Sequence, residues 1–311
     1  MTDPRPRPKI TDFPPEVVRL FDAYVHGALD RRGFLERAAQ FAVAGTTALG
    51  LLEALSPQFA LAEQIKPNDP RLTSELVEVA SPQGYGKSRG YLTRPAKATG
   101  KLPAVLVVHE NRGLNPHIED VARRFALENF IVFAPDALFP LGGYPGDEDK
   151  ARALFSGLDQ AKTQEDFIAC ARFLEGHPQS SGKLGVVGFC YGGGIAVLLA
   201  TRLSDLDAAV PFYGRPTAPE TAARIKAPLM VHLAEHDERV NTEWPSFEAA
   251  LGAAGVKLEL LTYPGTQHGF HNDTTPRYDE AAAKLAWQRT LAFFNRTLRA
   301  PPREGSPKSK S

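Results

Sequence analysis

Apolar residues in this chain gather into short unbroken runs, and amphipathic stretches of helical period separate them. "LPAVLVVHE" (102–110), "FIVFAPD" (130–136), "KLGVVGF" (183–189), "DAAVPFYG" (207–214), "PLMVHLAEHD" (228–237) and "KLELLTYPG" (257–265) are such runs. Apolar runs of this length, bounded by turn residues, read as strands buried on both faces. Between the first two, residues 116–128 place Ile118, Val121, Ala122 and Phe125 at i, i+3, i+4 and i+7, one face of a helix. Helices are also expected over 161–175, from the end of the third run to about residue 203, over 243–254 and over 276–298. In the last of these Trp287, Leu291, Phe294 and Leu298 share a face. Ahead of the first run, 75–80 and 86–93 alternate around a Gly-rich turn and predict a hairpin at a sheet edge. "ALFPLGGYPGDED" (137–149) carries too much Gly and Pro for regular structure and reads as a loop.

Strands that alternate with helices predict an α/β fold, a mostly parallel central sheet with helices on both faces. Such sheets bind ligands beyond the carboxyl ends of their strands. The loops after Val108, Phe133, Phe189, Phe212, Leu233 and Tyr263 are therefore where function is sought.

The first 65 residues follow a different pattern. Residues 1–15 are rich in proline and basic residues and read as disordered. Residues 16–29 form an amphipathic helix through Val17, Val18, Leu20, Phe21, Tyr24 and Val25. Arg31-Arg32 then precede Gly33, Phe34 and Leu35, an Ala-, Gly- and Leu-rich stretch, and a small-x-small site at Ala60-Leu61-Ala62. This order resembles a twin-arginine export signal. It implies the export machinery as a partner, and a periplasmic or secreted protein that begins near Glu63. The other reading is a helix packed on the domain of a cytoplasmic protein, because Glu53 interrupts the apolar stretch and 30 residues precede Arg31. The stretch is too interrupted for a membrane-spanning helix. The expected organisation is an N-terminal extension (1–65), one domain (66–299) and a disordered tail (300–311).

Charge narrows the function only by exclusion. The 36 basic and 36 acidic residues cancel, so no excess of positive charge recruits nucleic acid or an anionic membrane. Two cysteines, Cys170 and Cys190, are too few for a disulfide framework or a cysteine-rich metal site. The sequence calls for no cofactor and no metal.

The strand ends carry the chemistry. Cys190 stands in Gly188-x-Cys190-x-Gly192, where the glycines permit a sharp strand-to-helix turn that lifts the central side chain above the sheet. The dipole of the helix that follows favours thiolate over thiol. Gly192-Gly193-Gly194 is a costly run inside a helix and points to close backbone packing or a site. Asp237 follows a second strand and His268 a third. Nucleophile, acid and histidine in that order are what acyl transfer needs: one group attacks, one moves the proton, one fixes the ring. Cys170, inside "EDFIACARFLEG", reads as a buried hydrophobe.

With these residues in place, the chain from about 75 to 298 resembles the dienelactone hydrolase (carboxymethylenebutenolidase) family of the α/β-hydrolase superfamily. The resemblance rests on "VVHENRGLNPHIEDVARRFALENFIVFAPD", "GVVGFCYGGG", "PFYG", "HLAEHDERV" and "YPGTQHGF". It implies an α/β-hydrolase fold, a Cys190–His268–Asp237 triad and a small-molecule ester or lactone substrate. It also implies that Glu110 helps to generate the thiolate, and that the backbone N–H groups of Tyr191 and Asn111 form the oxyanion hole. Two family arginines that hold a substrate carboxylate are missing: Phe139 and Pro140 stand at the first place, His271 and Asn272 at the second, with Arg277 and Arg215 as possible substitutes. Other readings are a carboxylesterase of another substrate class, a metal-dependent hydrolase using His232, His236, His268 and His271, and a non-catalytic binding protein on a hydrolase scaffold.

Overall fold

The computed structural model describes residues 8–42 and 46–299. Of the disorder expected over residues 1–15 and 300–311, residues 1–7 and the tail lie outside these described residues, and the rest is corrected: Ile10–Asp12 form a 3-10 turn that Ile10 N ties to Pro276 O, and a helix starts at Pro15. Eight strands form one sheet: β1 (Leu72–Ser81), β2 (Gly86–Pro95), β3 (Leu102–Val108), β4 (Ile131–Pro135), β5 (Ser180–Phe189), β6 (Ala208–Phe212), β7 (Leu229–His236) and β8 (Leu258–Gln267). Their order is β1-β2-β4-β3-β5-β6-β7-β8. β1 and β2 make the expected antiparallel hairpin, β2 lies antiparallel on β4, and β3 to β8 run parallel.

The helices are α1 (Pro15–Val25), α2 (Arg31–Ala38), α3 (Ala48–Leu55), α4 (Phe59–Ala62), α5 (Pro116–Leu127), α6 (Glu148–Ser156), α7 (Gln160–Glu175), α8 (Tyr191–Arg202), α9 (Glu238–Asn241), α10 (Trp244–Ala253) and α11 (Glu280–Leu298). The pleat divides the strand residues between two cores. Ala104, Leu106 and Val108 face Phe167, Leu174, Leu199 and Phe247 of α7, α8 and α10. Val105 and Val107 face Ile118, Phe125 and Phe294 of α5 and α11. Every residue of β3 is buried, which explains its unbroken apolar run. The α/β-hydrolase fold is thus in place.

The reading of 137–149 as loop needs a correction. Phe139–Leu141 is a 3-10 turn, and α6 begins at Glu148. The acidic run that looked like a turn is a helix start: Asp147 accepts from Lys150 N (2.8 Å), and Glu148 and Asp149 occupy the first turn.

The N-terminal extension is folded. Val17, Phe21, Tyr24, Phe34, Ala38, Leu51, Leu52 and Leu55 form a core of their own. Asp30 caps α2 through Gly33 N (2.7 Å), and Thr47 caps α3 through Gly50 N (3.0 Å). Arg31 pairs with Asp149 and Arg32 with Glu36. The extension is tied to the hydrolase domain at Ile10 N to Pro276 O (2.9 Å) and Gln58 N to Thr274 O (2.8 Å). Ile65 N adds a bond to Asp120 (2.8 Å). No helix of the described residues is long and apolar enough to cross a membrane.

Phe125 is fully buried between Trp287, Phe130 and Phe294, with the Trp287 ring centroid at 4.3 Å. Phe125→Ala should lower unfolding free energy by about 3–5 kcal/mol, through lost burial and the cavity left behind, as read by urea denaturation.

Candidate active site

The backbone at the end of β5 leaves no room for side chains. A Cβ on Gly188 would lie 1.9 Å from the carbonyl oxygen of Gly192, and one on Gly192 would lie 2.3 Å from that of Val108. This crowding forces the chain into a turn at whose tip Cys190 adopts φ 54°, ψ −112°. A non-glycine residue in such a region costs on the order of 1–3 kcal/mol and persists only where its surroundings over-determine it. Here they do: Cys190 N donates to Phe212 O (3.0 Å), and Gly193 N and Gly194 N donate to Cys190 O (3.0 and 3.3 Å). The Gly192–Gly194 run thus marks close packing, as expected.

Asp237 follows β7, and its carbonyl accepts from Val240 N and Asn241 N. His268 follows β8. The two side chains are buried, with Asp237 Oδ2 2.5 Å from His268 Nδ1. Holding Nδ1 this way directs the buried Nε2 inward, toward the Cys190 thiol. Burial alone would keep the Cys190 thiol protonated, but the charge of His268 and a hydrogen bond from His26 outweigh it and bring the pKa down to about 5. Burial likewise opposes a charged His268, but Cys190 and Asp237 push it up to about 9. Thiolate and imidazolium thus favour each other across the site.

His26 was not among the residues singled out in the sequence. It closes α1, and its Nε2 lies 3.9 Å from Cys190 Sγ. Its Nδ1 is held by Asp22, at 2.9 Å from the carbonyl and 3.2 Å from Oδ1. The His26 and His268 rings meet edge to face, with centroids 4.9 Å apart. Burial disfavours charge on His26, but Asp22 and Cys190 raise its pKa above the ordinary value. The available signal was an Asp and a His spaced i, i+4 on an amphipathic helix, which places them on one face. Tyr213, also unremarked beyond its "PFYG" motif, has φ 37° and a buried hydroxyl without a partner, and its ring centroid lies 5.0 Å from that of His268.

Glu110 lies near the start of the loop after β3, and its carboxylate accepts from Asn272 Nδ2 (3.1 Å). Of the nearby arginines, Arg112 pairs with Glu148, and Arg123 with Glu63, Glu119 and Asp120. The Asn111 side chain donates to Val25 O (3.0 Å) in the N-terminal segment. Tyr191 opens α8, so its N–H has no acceptor within that helix.

At the two places where the family's arginines are missing, Phe139 lies under Arg89 and His271 stacks on Phe189. Arg277 faces Asp22 (3.6 Å) and the Phe21 ring of α1, whereas Arg215 is half-exposed and paired with Glu243. Cys170 is buried on α7, where burial pushes its thiol up to about 12. The four histidines of the metal-hydrolase reading do not converge: His232 is fully buried between Tyr263 and Thr290, and His236 is an exposed partner of Glu235.

These pKa directions set a reactivity profile. Alkylation of Cys190 by iodoacetamide, followed by mass spectrometry, should reach half its plateau rate near pH 5 and stay flat toward pH 9. His268→Ala should move the midpoint upward, because it removes the positive charge that favours the thiolate. Cys170 should label only after unfolding.

The dienelactone hydrolase family model matches residues 88–298, and a second model described as YqhI-like matches residues 5–43. A curated relative from Salmonella typhi, "Putative carboxymethylenebutenolidase", is 34% identical over 219 residues, which cover 66% of this chain and 81% of the relative. "Putative hydrolase fragment YghX" of Escherichia coli K12 is 55% identical over 113 residues, 36% of this chain and 97% of that one. The crystal structure of a putative dienelactone hydrolase from Klebsiella pneumoniae superposes with a TM-score of 0.63 at 30% identity, covering 71% of this chain and 98% of that one. With the sheet order and these similarities in agreement, the chain belongs to the dienelactone hydrolase family and is a hydrolase of carboxylic esters.

Proposed function

We propose that this hydrolase cleaves an ester or lactone through an acyl-cysteine intermediate at Cys190, with His268 and Asp237 as its partners. The observation that carries this reading is the placement of Cys190 at a strained elbow beside a buried histidine whose Nδ1 is held by Asp237 at 2.5 Å. The thiolate attacks the acyl carbon, and the carbonyl electrons move to oxygen. The N–H groups of Tyr191 and Asn111 receive that oxyanion, each donor contributing about 3 kcal/mol to the transition state. When the carbon–oxygen bond breaks, the His268 imidazolium gives its proton to the leaving oxygen. Neutral His268 then takes a proton from water, the hydroxide attacks the thioester, and the acid leaves as Cys190 thiolate returns. Glu110, held by Asn272 Nδ2 at 3.1 Å, is the carboxylate that by the family resemblance assists ionisation of the thiol.

The substrate is an ester or lactone of small size. The missing arginines favour an acyl side less acidic than that of a dienelactone. Cys190→Ala should lower turnover of a chromogenic short-chain ester by at least about 1000-fold with the fold intact. Full alkylation of Cys190 with activity retained would sink the reading.

Export through a twin-arginine signal is a separate proposal, supported by Arg31-Arg32 and the Ala60-Leu61-Ala62 site. Terminal sequencing of the protein recovered from its native host tests it. A mature start near Glu63 is expected, and a retained N-terminal segment refutes cleavage. The cut would remove His26 together with α1 to α4.

A further inference from the structure

Three donor atoms converge above the elbow. One is Cys190 Sγ, the second a ring nitrogen of His268, the third a ring nitrogen of His26, and they lie within 4.8 Å of one another. His268 Nε2 is buried and directed toward the thiol, and His26 Nε2 lies 3.9 Å from the sulfur. Both imidazoles are held from behind by a carboxylate: Asp237 at 2.5 Å from His268 Nδ1, and Asp22 at 3.2 Å from His26 Nδ1. A carboxylate on Nδ1 fixes the tautomer and makes Nε2 a stronger metal donor, as at zinc–histidine centres.

A tetrahedral zinc ion, with bonds of about 2.3 Å to sulfur and about 2.0 Å to nitrogen, holds its ligand atoms roughly 3.3–3.6 Å apart. The three atoms must therefore draw together by roughly 1.5 Å at most, a movement within the reach of side-chain rotation. One thiolate and two imidazoles select zinc-class ions over magnesium or calcium. Three protein ligands leave a fourth position for water.

We propose that Cys190, His26 and His268 form a binding site for a divalent cation of the zinc class, which fastens the N-terminal segment over the nucleophile and holds the enzyme inactive. The site itself does not depend on the hydrolytic reading; the inhibition does. The ion bonds to sulfur and two nitrogens, the protons on the imidazoles leave to solvent, and nothing is oxidised or reduced. An acyl carbon must reach bonding distance of a sulfur that the ion then occupies. Arg239, whose guanidinium stands 2.9 Å from His26 Nε2, has to turn away. Its positive charge opposes the ion, while the thiolate, Asp22 and Asp237 favour it.

Titration of the full chain with Co2+ tests the site directly. One equivalent should produce thiolate-to-cobalt charge-transfer absorption in the near ultraviolet and the strong visible bands of four-coordinate cobalt, both displaced by Zn2+. Cys190→Ala should abolish the charge-transfer band. His26→Ala should weaken Co2+ and Zn2+ binding by at least about 100-fold, and Asp22→Asn by about 10–100-fold, with circular dichroism confirming the fold. No cobalt spectrum in the unmodified protein, or one unchanged in both His26→Ala and Asp22→Asn, overturns the site. Zinc that binds as described but leaves ester hydrolysis unchanged overturns the inhibitory role. A protein that binds cobalt through these residues yet hydrolyses no ester when freed of metal by a chelator upholds the site and overturns the hydrolytic reading instead.

Discussion

The close approach of three backbone segments at the end of β5 is the constraint on which the active site depends. Gly188, Gly192 and the Val108 carbonyl stand so near one another that a methyl group at either glycine would overlap backbone atoms. Backbone cannot yield as a long side chain can, so the turn has one conformation. That conformation places Cys190 at φ 54° and points α8 at its sulfur. The strain is offset by burial of the strands on both sides, β3 and β6, whose residues are wholly buried. The strength of the sheet is what allows one residue in it to be held away from its preferred geometry.

Around that turn the site is built from opposite charges in a poorly hydrated place. Burial would neutralise thiol and imidazole alike. Each instead stabilises the charged form of the other, and Asp237 completes the arrangement from behind. The N-terminal segment enters the same field. Arg112 donates to Val25 O, Arg152 to Tyr24 O, and Arg277 faces Asp22, so arginines of the hydrolase domain hold the end of α1 above the thiol. These contacts bring His26 to Cys190, a residue 164 positions away along the chain.

Much of the fold was legible because burial on both faces leaves an unmistakable apolar run. Strands β3 to β8 and helices α5, α7, α8, α10 and α11 fall where the pattern put them, with ends moved by a few residues. Helix α6 was not legible, because Gly and Pro precede it and its capping Asp147 resembles a turn residue. Cys190, Asp237 and His268 could be read as neighbours because each follows a strand, and parallel strands bring their carboxyl ends to one edge. Glu110 meets Asn272, a partner that only the folded loops bring near.

The sequence by itself determined the layers of the fold, the elbow and the strand ends at which Cys190, Asp237 and His268 stand. These are local signals: side-chain period, glycine where a Cβ will not fit, and residue type at a strand end. The tertiary structure decided what the first 62 residues do to the site. An apolar helix with a polar face is compatible with a signal or with a packed helix, since local pattern does not specify the surface it meets. Only long-range docking, through Arg112, Arg277 and the Val25 carbonyl, brings Asp22 and His26 of a short helix to the Cys190 thiol.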